Sequence, residues 1–93
     1  MYRGDIETGW DAIQYAEDLY RDARRDARNA WDVFDDAVDA ILDAKETADA
    51  KTLAKLKRKA RLAYHKVRNA TEREDYTRAY LNGVRDMVDA LNL

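Results

Sequence analysis

Ninety-three residues make one small domain, and its formal net charge of −2 is close to balanced. The absence of cysteine excludes a disulfide framework and a thiolate zinc site, and it suits a reducing compartment. No proline, three glycines and only short apolar runs argue against strand-and-turn architectures and against a membrane span, and the N-terminus lacks the apolar stretch of a signal peptide.

At 39% charged residues the chain could be disordered, but two tryptophans, six tyrosines and a sustained apolar period indicate a folded, all-α protein. Residues 1–8 read as an N-terminal arm. Within it, Arg3-Gly4-Asp5 spells an adhesion tripeptide, too short a match to carry weight. Thr8, with Asp11 three residues on, has the spacing of a helix N-cap.

A helix over about 10–46 follows from a seven-residue repeat. Ile13, Tyr20, Ala27, Phe34 and Ile41 take one core position (a), and Ala16, Ala23, Ala30, Ala37 and Ala44 take the other (d). Alanine at successive d positions lets a second helix approach closely. Thr47 and Asp49 can both cap a helix start, which places a turn at about 47–50.

The repeat resumes in a second helix over about 51–91. Leu53, Ala60, Val67, Leu81 and Val88 fall on one core position, and Leu56, Ala63, Ala70, Val84 and Leu91 on the other. Glu74 and Thr77 interrupt it. Such a polar layer usually fixes register, with Glu74 expected to bond Tyr20 or a neighbouring arginine. Thr71 and Glu74 also have capping-box spacing, so a second break near Thr71 would give a three-helix bundle. The repeat crosses Thr71 without a skip, which favours a long antiparallel hairpin, an alanine-rich coiled coil.

Charge supports one fold-back near Asp49. Seven acids and one base lie between Asp32 and Asp49, and eight bases and no acid between Lys51 and Arg68. A hairpin lays these blocks side by side and brings Arg21, Arg24, Arg25 and Arg28 near Glu72, Glu74 and Asp75. Each exposed pair is worth only about 0–1 kcal/mol, so the pattern specifies register more than stability. Acids at the end of the first helix and lysines at the start of the second oppose the helix dipole, so pairing across the hairpin, or a partner, has to explain them.

The apolar stripe is wider than two helices can cover. Trp10, Trp31 and Val38 flank the seam on one side, Leu19 and Val33 on the other. Tyr64, Tyr80 and Met87 flank it on the second helix, where Leu62 and Tyr76 point well away. Self-association into a four-helix bundle or docking on a partner is the expected remedy.

Three surfaces are candidates for function. Trp10, Trp31, Tyr64, Tyr76 and Tyr80 form a candidate aromatic patch for a partner. Asp32, Asp36, Asp39 and Asp43 belong to an acidic row whose spacing of about 5–6 Å resembles that of strand phosphates. Lys55, Lys57, Arg58, Lys59 and Arg61 are candidate nucleic-acid contacts on the basic arm 51–68. His65 has no carboxylate or second ligand one turn away, and no residues suggest catalysis, a metal or a cofactor.

The expectation is therefore a non-enzymatic protein that binds another protein or itself by surface occupation. A small viral inhibitor or virion component, in the cytoplasm of a producing or host cell, would fit. A nucleic-acid-binding or packaging protein is the alternative, and no membrane or small-molecule partner is expected.

Overall fold

The computed structural model describes residues 5–92, with side-chain surroundings described for 9–91. Helix α1 spans Asp5–Ala44 and helix α2 spans Ala50–Asn92, and no strand occurs among the described residues. At a rise of ~1.5 Å per residue, helices of 40 and 43 residues reach ~60 and ~65 Å, so the hairpin is a rod of 66 × 18 × 17 Å. Its radius of gyration of 20.5 Å compares with ~12 Å for a compact domain of this length.

α2 runs unbroken through Thr71, which removes the three-helix alternative. The capping-box spacing there has no effect because core residues on both sides of it, Val67 and Leu81, are already committed to one seam. Thr77, buried in that seam, donates its hydroxyl to the carbonyls of Arg73 and Glu74 at 2.9 and 3.0 Å. Its own helix thus satisfies the polar group that would otherwise oppose burial.

The turn covers residues 45–49. The amides of Thr47 and Ala48 donate to the Ala44 carbonyl at 3.1 and 2.8 Å, closing the C-terminus of α1 without any residue of positive φ. Asp49, rather than Thr47, is the N-cap of α2: its Oδ1 accepts the Thr52 amide at 2.8 Å. The hydrogen bonds from Thr52 hold the Asp49 carboxyl below its ordinary value of 3.8.

The expected start of α1 near Trp10 is corrected. The helix begins at Asp5, so Thr8 lies inside it and is not its cap, while residues 1–4, including most of the tripeptide, lie outside the described residues. Gly9 is helical, and its missing side chain is used. A Cβ there would sit 3.1 Å from one Val88 methyl and 3.3 Å from the other, so glycine lets α1 pass close against the far end of α2.

Every buried residue described lies on an a or d position: Ala16, Ala23, Ala27 and Ala37 from α1, and Ala60, Ala63, Val67, Thr77 and Leu81 from α2. The fully buried layer is therefore mostly alanine methyl groups, and larger a and d residues such as Ile13, Phe34, Ile41, Leu53 and Leu56 are half-buried around it. Replacing Ala16 and Ala23 by leucine should force the helices apart and cost about 1–3 kcal/mol per site. Thermal unfolding followed by circular dichroism will read this; unchanged melting would mean that close approach at these layers is not required. A second measurement concerns the cap. Because the folded Asp49 carboxyl is held low, its contribution is complete above its ordinary value of 3.8 and fades as pH falls through the lower folded value. The melting difference between the native protein and Asp49→Ala should accordingly be constant near neutral pH and shrink in acid below that value.

Candidate functional site

In an antiparallel pair, only positions flanking the seam can reach across it: e faces e, and g faces g. The cross-helix contacts obey this geometry. On the e side Arg85 Nη2 donates to Glu17 Oε2 at 2.9 Å, and on the g side Arg73 Nη1 donates to Asp26 Oδ2 at 3.2 Å. Between these two pairs lies the polar layer. Arg78 donates from Nε to the Tyr20 hydroxyl at 3.3 Å and lies 3.6 Å from Glu74 Oε2 and 3.4 Å from Asp75 Oδ1. Arg24 and Arg78 also stand over the Tyr20 ring, 5.6 and 5.8 Å from its centroid. The hydrogen bond that Arg78 donates to the Tyr20 hydroxyl, more than the nearby acids, raises Arg78 above its ordinary value. Glu74 does meet a neighbouring arginine, and that arginine ties the layer to α1.

The expected pairing of charge blocks is corrected. Among the described residues no ion pair within 4.0 Å joins the acids of 32–49 to the bases of 51–68, and none joins Arg21, Arg24, Arg25 or Arg28 to Glu72, Glu74 or Asp75. Arg21 and Arg25 pair instead within α1, with Asp18 at 2.9 Å and Asp22 at 3.5 Å. The reason is position. Near the turn the flanking e and g sites of α1 are Trp31, Val33, Val38 and Ala40, so no acid there can reach α2. The acids themselves occupy b, c and f, which point outwards.

Both charge rows are consequently solvated. Asp32, Asp36, Asp39 and Asp43 are all exposed, as are Lys55, Lys57, Arg58, Lys59 and Arg61. The basic residues wrap around most of the outer circumference of α2 rather than forming one stripe, while the four aspartates share one outer face of α1.

The five aromatics proposed as one patch are divided. Trp10, Trp31 and Tyr64 occupy e positions on one long side of the rod, with Trp10 about 30 Å from Trp31 along the axis. Phe34 bridges Trp31 and Tyr64, with ring centroids at 5.9 and 5.6 Å, and a shallow groove of about 280 Å³ runs between Trp31, Tyr64, Val67 and Thr71. Tyr80 and Tyr76 occupy g and c positions on the opposite side, where Tyr15, Met87 and Leu19 join them. Tyr76 is 73% exposed and Trp10 63%. Distance from the seam alone does not single out Tyr15; its c position, shared with Tyr76 and Leu62, assigns it to this side.

No three described histidine, cysteine or acidic residues are arranged to hold a metal ion, and His65 is exposed. No described helix is long and apolar enough to cross a membrane. Comparison with models of known families, with curated proteins and with solved structures gives no match.

Proposed function

We propose that this chain is a non-catalytic helical interaction protein, an alanine-seamed coiled coil that works by laying a long apolar side of its hairpin on another protein surface. The observation that carries the proposal is the inverted distribution of its apolar residues. The residues fully buried in the seam are mostly alanine, while Trp10, Tyr15, Trp31, Leu62, Tyr64, Tyr76, Tyr80 and Met87 are exposed. Large apolar side chains contribute about 1.5–3 kcal/mol each when buried, and aromatic residues dominate the energetics of protein interfaces. A hairpin carrying both kinds of residue outside gains from a partner what its own fold leaves unused. Affinity capture from cells of the producing organism, with the chain as bait, tests this. A protein retained by the native chain should be lost with Trp31→Ser plus Tyr64→Ser, or with Tyr76→Ser plus Tyr80→Ser. If nothing associates with the chain, further copies of itself included, the proposal fails.

The exposed and unpaired bases of 51–68 support a second reading, binding to nucleic acid through α2. The segment keeps its eight cations available because the neighbouring acids of α1 point elsewhere. Such binding would depend steeply on salt, since each phosphate neutralised releases counterions. A shift assay at ~50 mM salt should then show a complex that is weakened by Lys57→Glu, Arg58→Glu and Arg61→Glu and dissolved at higher salt. No complex at low salt removes this reading.

A further inference from the structure

We infer that the occupant of one side of the hairpin is a second copy of this chain, stacked on it about a twofold axis parallel to the rod, with both turns at the same end. The inference rests on the interaction reading above and specifies its partner for that side. The side concerned is formed by the c and g positions, and three observations point to a copy of the chain itself.

The first is area. The chain exposes 7322 Å², whereas a compact monomer of 10.8 kDa exposes about 5,500 Å². The excess, about 1,800 Å² over the whole rod, is more than twice the ~800 Å² per partner of a standard interface, so a single long side has surface enough for one.

The second is charge. On the c and g positions described, α1 carries acids only (Asp22, Asp26, Asp36 and Asp43) and α2 carries bases only (Lys55, Lys59, Lys66 and Arg73). The e and b positions of the other side mix both signs on both helices. An isologous interface has to be self-complementary, and two rails of opposite sign on one side meet that condition. A twofold axis parallel to the rod sets the α1 of each copy over the α2 of the other, acid rail on base rail. Turns at opposite ends would instead set α1 on α1 and α2 on α2, like on like. The levels also agree. With Tyr20 facing Arg78 and Phe34 facing Tyr64 along the rod, Asp43 lies level with Lys55, Asp36 lies between Lys59 and Lys66, and Asp26 lies beside Arg73. Within one hairpin the c positions diverge from the seam, so Asp43 and Asp36 find no base; a stacked copy supplies it.

The third is Gly83. It stands in the interior of α2, exposed, and a Cβ added there would meet nothing within 4 Å. Glycine in a helix interior is unfavourable relative to alanine, and no packing inside this chain calls for it. Gly83 lies at c on α2, level with Tyr15 at c on α1. In the stacked arrangement the Tyr15 ring of each copy lies over the bare backbone at Gly83 of the other, and Tyr76, Tyr80 and Met87 close around it.

Sedimentation equilibrium on the full chain tests this. The native protein should be dimeric. Gly83→Gln should weaken the dimer by at least about tenfold without loss of helicity, since glutamine favours helix more than glycine does. Asp36→Lys with Asp43→Lys should be monomeric alone, as should Lys55→Asp with Lys59→Asp, because each sets like charges on both rails. An equimolar mixture of the two should recover the dimer, because each rail again pairs opposite signs. Spin labels at Ala48→Cys, the only thiol in the chain, should lie near one another rather than at opposite ends of a 66 Å rod. A native-helicity monomer at every concentration overturns the inference, as does a dimer that Trp31→Ser with Tyr64→Ser abolishes while Gly83→Gln leaves it intact, or one with distant turn labels. A monomeric chain that still captures a different protein overturns this inference alone and leaves the interaction reading in place.

Discussion

Methyl-to-methyl packing along the seam governs the rest of the structure. Alanine at Ala16, Ala23, Ala27, Ala37, Ala60 and Ala63 leaves little volume between α1 and α2, so the helices run together for their whole length without a thick core. The same choice limits how much apolar surface one hairpin can remove from water. Among the described residues Val67, at 2% exposure, and Leu81 are the only apolar side chains larger than alanine that are buried. A chain of this size has little stability to spare. The larger residues that could have filled a core, Trp31, Tyr64, Tyr76 and Met87 among them, stand on the flanks instead.

Polar residues then complete what the alanines leave unspecified. The alanine layers of the seam resemble one another and so discriminate weakly between registers. The cluster of Tyr20, Glu74 and Arg78, with Asp26–Arg73 and Glu17–Arg85 on either side, matches only at one register. These groups are substantially exposed and each contributes little to stability. Their role is to distinguish the correct alignment from neighbouring ones. No buried side-chain polar atom among the described residues lacks a partner, so this specificity is obtained without a desolvated charge.

The division of the rod into two chemically different sides follows from the repeat. One side mixes both signs of charge and carries Trp10, Trp31 and Tyr64. The other has an acidic rail on α1 and a basic rail on α2 towards the turn, and Tyr15, Tyr76, Tyr80 and Met87 towards the opposite end. The two sides thus differ in charge pattern, and of the two only the second has rails of opposite sign on its two helices. Lys57, Arg58 and Arg61, at e, f and b of α2, lie outside the proposed stacking.

Much of the architecture was legible from residue order. The heptad positions, the single fold-back near Asp49, the polar layer at Glu74 and the excess of flanking apolar residues all follow from spacing, because a helix converts a period of seven directly into a face. The uninterrupted α2 was only favoured by the repeat, since the local capping signal at Thr71 competes with tertiary packing and the sequence does not weigh one against the other. Likewise, Thr8 has the spacing of a helix N-cap although the helix begins earlier, and only the approach of Val88 shows why a glycine stands at position 9. Which charges touch was decided by three-dimensional position alone. Blocks of opposite sign adjacent in a hairpin look paired on paper, yet an outward b, c or f position holds a carboxylate beyond reach of the other helix, and only e and g sites cross. For the same reason the five aromatics are one composition but two surfaces: sequence determines how far each lies from the seam, and the direction in which the second helix passes determines which side it faces.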